Sequence, residues 1–232
     1  MNKRQSVKFY MSVEGDNCER LYFKHIAKII NSSGRNEYDL KIEPKKMGPY
    51  AFAKRFGHLP KGGYRPKGKK KEQELPFIHI QDIEDYYDQE QRKKFTIVID
   101  EMRKVEKDFH LSYQLGYSNY TFELWLLLHV VDFTSPVPNR TSYLNPINRY
   151  FSRDFVSLNE FKEESEFQKI LDEYITLDSV FQAIERAKKI VEHNRKQGKV
   201  CEEYKKVKFY HDNPDTTVHD VVQLIFAVCG VE

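Results

Sequence analysis

The chain is poor in cysteine and has no long hydrophobic run. Its 232 residues include three cysteines, Cys18, Cys201 and Cys229, with no C-x-x-C spacing. Neither a disulfide framework nor a structural zinc site is therefore expected, and a reducing cytoplasm is the expected compartment. The longest apolar run, residues 124–131, is too short to cross a bilayer, so no membrane association is expected. The polar first six residues predict no export signal.

A large net charge is also lacking. The chain has 38 Lys and Arg against 35 Asp and Glu, a net charge of +3, so it is not a polycation as a whole. Positive charge is instead concentrated in one stretch with interleaved aromatic residues, which predicts a surface for the phosphates and bases of a nucleic acid. A solvated flexible loop is the alternative, and both interpretations stay open. The candidate contacts are Lys45, Lys46, Arg65, Lys67, Lys69 and Lys70.

Strand and helix patterns alternate over residues 1–131. The predicted strands cover residues 7–13, 38–42, 75–81 and 109–117, and the predicted helices cover residues 17–31, 88–107 and 121–131. This order predicts an α/β fold with a mainly parallel sheet and helices on both faces. Residues 44–74 are rich in glycine, proline and basic residues, which predicts an inserted loop with one helical turn near residues 50–56. Pro44 is expected to end the second strand.

The pattern changes after residue 131. Mostly helical segments follow at residues 158–174, 178–197 and 216–228. We therefore expect a core over residues 1–131, with the basic insertion at 44–74, and a mostly helical C-terminal region over residues 132–232 packed on that core.

Acidic residues follow three of the predicted strands. Glu14 ends the first strand and Glu19 lies in the first turn of the next helix, Asp82 and Glu84 follow residues 75–81, and Glu123 comes shortly after residues 109–117. Since parallel strands end at one edge of a sheet, we expect these side chains to converge. Clustered carboxylates are costly to desolvate, and a hard divalent cation with oxygen ligands compensates them. Such a site can activate water and stabilise a displacement at phosphate.

Several of these residues also have a plain structural explanation. Glu14 could be a solvated turn residue, whereas Glu84 and Glu123 could be acids that stabilise helix N-termini. Ser118 and Asn119 are most simply turn and cap residues, and in the functional interpretation they line the site and support it through hydrogen bonds.

Three segments of the chain resemble the RloB-like family, which includes the AbiLii component of abortive-infection systems. They are residues 9–23 (FYMSVEGDNCERLYF), 118–129 (SNYTFELWLLLH) and 213–218 (NPDTTV). The segments span nearly the whole chain in the order of the family, and the FELWLLLH block is the most specific. The acidic E-G turn between a strand and a helix, followed by a strand with a D-x-D-like pair, also resembles the Toprim domain of topoisomerases, primases and related nucleases.

The resemblance implies a Toprim-like nuclease that depends on Mg²⁺ or Mn²⁺, cleaves DNA or RNA, and acts in antiphage defence beside a partner ATPase. It implies that Glu14 binds metal or acts as a general base, that Asp82 and Glu84 are metal ligands, and that Glu19 and Glu123 are supporting ligands. The chain departs from the family at Glu84, where the second acid of the D-x-D-like pair is a longer carboxylate. A non-enzymatic regulatory or adaptor subunit, docked on an ATPase or a nucleic acid, is the alternative.

Overall fold

Strands and helices alternate through the first half of the chain. The computed structural model describes residues 5–58, 63–64 and 71–231. Its first elements are β1 (Ser6–Val13), α1 (Cys18–Ser33), β2 (Asp39–Lys46), α2 (Pro49–Phe56), β3 (Gly63–Tyr64), β4 (Gln73–Glu74), β5 (Phe77–Asp82), α3 (Gln89–Phe109), β6 (Tyr113–Asn119) and α4 (Glu123–Leu127). A 3-10 helix (Arg140–Tyr143) is followed by α5 (Leu144–Tyr150), α6 (Leu158–Phe161), α7 (Glu164–Tyr174), α8 (Leu177–Lys196), β7 (Cys201–Tyr204), β8 (Val207–Tyr210), β9 (Asp215–Thr216) and α9 (Val218–Cys229).

Five of these strands form one sheet in the order β2-β1-β5-β6-β9. β1 is parallel to both β2 and β5, and β5 is parallel to β6, whereas β9 is antiparallel to β6. The prediction of an α/β fold with a mainly parallel sheet is therefore confirmed. Because the parallel strands all end at the same edge, the loops after β1, β5 and β6 meet there.

Apolar side chains cover both faces of this sheet, because alternate residues of a strand point to opposite sides. α1 and α9 pack on one face, which buries every second residue of β1, namely Val7, Phe9, Met11 and Val13. On the opposite face, Phe77 of β5 packs with Phe52 of α2 and Val105 of α3. Helices thus cover both faces, as the alternating pattern predicts.

The prediction that Pro44 ends the second strand is wrong. β2 continues through Pro44 to Lys46, in register with β1 over its whole length. β2 is the outermost strand of the sheet, and an edge strand tolerates a proline where its missing N–H faces away from the neighbouring strand. The predicted inserted loop is also more structured than expected, because it contains α2 and the hairpin of β3 and β4.

Several predicted bounds differ from those observed. The strand expected at residues 109–117 begins at Tyr113, because α3 extends to Phe109 and ends at His110 in a left-handed conformation with φ 55°. Only part of the helix expected at residues 121–131 forms an α-helix, the short α4. After α4 the backbone makes a tighter turn, in which the His129 N–H donates to the Leu126 carbonyl three residues earlier. The helix expected at residues 158–174 is divided into α6 and α7. The hairpin of β7 and β8 and the short β9 were not predicted.

Residues beyond 131 pack on the same hydrophobic core as those before it. α7 and α8 contact α1, and α9 lies against β6. Buried side chains of both parts, such as Trp125 and Phe167, belong to one continuous cluster. The division of the chain at residue 131 is not tested by these contacts and stays a prediction. Within the described ranges, no helix combines the length and apolar character needed to cross a membrane.

Candidate functional site

The predicted acids Glu14, Glu19, Asp82 and Glu84 line one pocket at the C-terminal edge of the parallel strands. Its volume is about 290 Å³. Glu14 directly follows β1, Asp82 ends β5, and Glu19 lies in the first turn of α1. The strand order therefore brings these acids together, as the parallel arrangement predicts, while their chemical roles stay predictions.

Glu14 joins the ends of two neighbouring strands. Its backbone N–H donates to the Ile80 carbonyl at 3.1 Å. Its Oε2 accepts from the backbone N–H of Asp82 at 3.0 Å and also contacts the side-chain amide of Gln81. These donors hold the Glu14 carboxylate against the end of β5, so its position follows from the register of the sheet.

The residues around Glu14 have special backbone requirements. A Cβ atom at Gly15 would overlap the carboxylate of Glu19, so glycine is what allows that side chain to lie back against the turn between β1 and α1. Glu84 has φ 46°, in the left-handed region that costs a residue other than glycine about 1 kcal/mol or more. Its backbone N–H donates to the Tyr120 carbonyl at 3.0 Å, which holds it in that conformation. Strained residues of this kind are concentrated at functional sites.

Burial and mutual repulsion disfavour the charged form of these acids. Burial raises the pKa of Glu19 to about 7, with further repulsion from Glu123 and Glu14. The pKa of Asp82 is raised well above its usual range, first by burial and then by Glu19 and Glu14. Burial also raises the pKa of Glu14, although the backbone N–H of Asp82 opposes the shift. The cluster therefore attracts protons or a cation.

Glu123 lies beneath the pocket rather than in its lining. Its side chain is fully buried, and Lys162 Nζ is 2.6 Å from its Oε1. Burial alone would raise the pKa of Glu123, but Lys162 and the Thr121 hydroxyl group hold it below its usual value. The Thr121 hydroxyl group also lies 3.1 Å from Asp82 Oδ2, which connects Glu123 to the acids of the pocket.

Cationic side chains surround the acids, and the sequence interpretation missed two of them. Arg140 Nη1 is 3.1 Å from Glu84 Oε1, and Arg140 and Lys162 both line the pocket. They come from the 3-10 helix and from the residue after α6, far along the chain from Glu14, and no local motif marks them. Lys46, a predicted phosphate contact, completes the rim and pairs with Asp16 at 2.5 Å.

Only one of the other predicted phosphate contacts, Lys45, lies among the described residues. Lys45 is exposed on β2 and is not among the residues that line the pocket. The predicted contacts Arg65, Lys67, Lys69 and Lys70 lie outside the described residues.

Ser118 and Asn119 do not line the pocket. Both are buried at the end of β6. The Ser118 hydroxyl group is 3.0 Å from that of Thr216 in β9, and the Asn119 side chain donates to the carbonyl of His211 at 2.6 Å. They attach the C-terminal chain to the sheet, so neither the site-lining role nor the turn-and-cap role describes them.

A buried chain of polar side chains leads to Glu14 from inside the sheet. The Ser12 hydroxyl group is 2.7 Å from His79 Nδ1, and His79 Nε2 is 3.2 Å from Gln81 Oε1. Because the Gln81 oxygen can only accept, His79 donates from Nε2, and Nδ1 accepts from Ser12. Burial lowers the pKa of His79 to about 4, so the ring is neutral at neutral pH. The Gln81 amide then donates to Glu14.

Comparison with known families identifies the chain. A family model described as RloB-like protein matches residues 9–225. The chain belongs to the RloB-like family. The matched range contains all the acids and cations of the pocket, so the family resemblance noted in three short segments is confirmed over most of the chain. Comparisons with curated proteins and with solved structures gave no match.

The RloB-like pocket fits a divalent cation by the type and charge of its donors. Carboxylate oxygens are the ligands that Mg²⁺ and Mn²⁺ prefer. The Asp82 Oδ1 atom is buried without a hydrogen-bond partner among the described residues, and a cation would satisfy it. The coordination shell is not preformed, because no three acidic, histidine or cysteine side chains within those ranges are arranged to hold one ion.

Proposed function

We propose that this RloB-like protein is a nuclease with a Toprim-like core that depends on Mg²⁺ or Mn²⁺ and hydrolyses phosphodiester bonds of DNA or RNA. The observation that carries the proposal is the pocket in which Glu14, Glu19, Asp82 and Glu84 stand beside Lys46, Arg140 and Lys162. Carboxylates suit a hard cation, and cationic side chains suit a phosphate. Phosphodiester hydrolysis is favoured where both lie together, because each stabilises the negative charge of the transition state.

Each group in the pocket has a distinct task in this proposal. Glu14, Glu19 and Asp82 would hold the ion, which supplies positive charge to the phosphate and makes water more acidic. Arg140 and Lys162 would bind the oxygens of the scissile phosphate and orient it, because guanidinium and ammonium groups form strong hydrogen bonds with phosphate. Glu84 holds Arg140 in place at 3.1 Å.

Glu14 is also placed to accept a proton. In place of a ligand role, its carboxylate can act as the general base for the attacking water, because it lines the pocket. The hydrogen bonds from Asp82 and Gln81 fix its orientation during that transfer.

The test compares Glu14→Gln with the wild type in a cleavage assay with Mg²⁺ or Mn²⁺ on labelled single- and double-stranded DNA and RNA. We expect cleavage to fall by a factor of about 100 or more, because the variant keeps the shape of the side chain but loses its charge and basicity. Glu43→Gln is the matched control, since Glu43 is an exposed acid on β2 that pairs with Lys8 outside the pocket. Equal cleavage by the wild type and Glu14→Gln would refute the proposal.

One observation favours a second function, that of a non-enzymatic adaptor. Glu84 and Glu123 already have cationic partners in Arg140 and Lys162, so part of the pocket is electrically satisfied without an ion. Titration with Mn²⁺ discriminates between the two functions. A nuclease should bind Mn²⁺ with an affinity that falls on Asp82→Ala, whereas an adaptor should show no such dependence.

The biological setting is a further part of the proposal. A role in antiphage defence and an ATPase partner are proposed only from the family resemblance of the three sequence segments. Co-purification with an ATPase encoded beside the gene, compared with the chain expressed by itself, tests the partner.

A further inference from the structure

A second pocket lies directly beside the acidic one and has no part in the chemistry above. Its volume is about 240 Å³, and it shares Glu84 and Arg140 with the acidic pocket. The remaining lining residues are Asp85, Gln91, Tyr120, Pro138 and Asn139. Arg140 thus forms part of the wall between two adjoining spaces. Glu84 and Asp85 contribute carboxylates to the second space as well, and beside them Tyr120 and Pro138 supply apolar surface.

The chemistry of this second pocket suits a flat aromatic ring with polar edges. Tyr120 is half-buried and packs against the hydrophobic core, so part of its ring is held by the protein while the rest is accessible. Pro138 adds apolar area, while Gln91 and Asn139 carry amide NH₂ groups that can donate hydrogen bonds to a ring edge. Their amide oxygens already accept within the protein, that of Gln91 from Lys94 and that of Asn139 from the Ser142 backbone N–H. A second ring, Tyr87, lies nearby and is 68% exposed.

We propose that this pocket binds an unpaired nucleobase of the substrate, next to the phosphate that Arg140 contacts. The inference rests on the proposed nuclease function and specifies its substrate as single-stranded nucleic acid. Arg140 lines both pockets, so a phosphate at its guanidinium group places the adjoining base beside Tyr120. Stacking on an aromatic ring and hydrogen bonds to the base edge are the usual means of holding unpaired bases.

The position of the pocket argues for a base rather than for another apolar ligand. It opens beside Arg140, a cation that suits phosphate, and an apolar molecule without an anionic group would gain nothing from that cation. A base inside a duplex stays stacked and paired, and removing it from the stack costs free energy. The pocket therefore selects strands whose bases are already free.

The test measures binding of labelled single-stranded oligothymidylate and oligouridylate, with Ca²⁺ in place of Mg²⁺ so that the strand is bound and not cut. We expect Tyr120→Leu to weaken binding about tenfold, because stacking on one aromatic ring contributes that much. Tyr120→Phe is the matched control, since it keeps the ring, and should stay within about twofold of the wild type. A strand lacking its bases, and a duplex of the same length, should bind the wild type and Tyr120→Leu equally.

Cross-linking of the wild type gives an answer that does not depend on the folding of a variant. A single-stranded oligonucleotide that carries 5-iodouracil should cross-link to Tyr120 or to the adjoining Tyr87 on irradiation, and mass spectrometry should identify the peptide. Cross-links found only elsewhere would overturn the proposal. So would equal binding of bases by the wild type and Tyr120→Leu.

The two proposals fail separately. If Glu14→Gln abolishes cleavage but Tyr120→Leu leaves binding unchanged, only the base pocket is wrong. If the wild type binds single strands through Tyr120 but cleaves nothing, the base pocket stands and the nuclease is wrong.

Discussion

Lys162 is expected to stabilise the fold through a single buried contact. Its Nζ lies 2.6 Å from Oε1 of Glu123, whose side chain is 0% exposed. Lys162→Met removes the cation and leaves a carboxylate buried beside other acids. Breaking a buried pair in this way costs about 3–5 kcal/mol. Because the Lys162 side chain is 24% exposed and water can reach the gap, we expect a value near the lower limit, about 3 kcal/mol.

The loss is measured as the change in unfolding free energy by urea titration at pH 7, followed by circular dichroism. For a chain of this length it corresponds to a fall in melting temperature of roughly 6–12 °C. The double variant Glu123→Gln with Lys162→Met should recover most of the loss, since the unpaired charge is then absent. Lys28→Met is the matched control, because the exposed pair of Lys28 and Asp172 at 3.1 Å should contribute under about 1 kcal/mol.

The pH dependence adds a second check on the same contact. In Lys162→Met the buried Glu123 should bind a proton more readily, so the deficit in stability should shrink as the pH falls. A loss of less than about 1 kcal/mol for Lys162→Met would show that Glu123 does not depend on this pair. A double variant as unstable as the single one would show that packing, rather than charge, explains the loss.

Two further predictions concern other buried polar groups. Gln81→Leu should weaken Mn²⁺ binding about tenfold or more, because the Glu14 carboxylate loses the donor that orients it; an unchanged dissociation constant would exclude this positioning role. Asp215→Asn should flatten the pH dependence of the unfolding free energy between about pH 4 and pH 6, measured by urea titration. In the wild type, burial raises the pKa of Asp215 to about 6. The native state therefore holds a proton in this range that the unfolded state releases as the pH rises. Identical slopes in the wild type and Asp215→Asn would contradict that reasoning.

The sequence was sufficient for the parts of the fold that depend on local pattern. A strand followed by an acidic glycine turn and a helix places Glu14 at the end of β1, and a second apolar strand places Asp82 at the end of β5. Parallel pairing then follows from the alternation of strands and helices, and it brings both acids to one edge. None of these steps requires knowledge of residues distant in the chain.

The parts that the sequence could not predict depend on distant contacts. Arg140 and Lys162 reach the pocket only because the chain after residue 131 packs on the core, and nothing in their neighbours signals that packing. Pro44 remains in a strand because β2 is an edge strand, which is a property of the assembled sheet. Ser118 was interpreted as a turn residue, but its partner Thr216 lies in a strand formed 98 positions later.

The two ion pairs at the pocket have a thermodynamic consequence. Arg140 and Lys162 are each engaged with a carboxylate, so an incoming anion must compete with Glu84 and Glu123 for them. A divalent ion held by Glu14, Glu19 and Asp82 would neutralise acids that attract the same cations, and would make Arg140 and Lys162 easier for the anion to capture. By linkage, an anion that bound these cations would in turn strengthen binding of the ion. Each ligand should therefore raise the affinity for the other, so that mixed occupancy is favoured over either ligand alone.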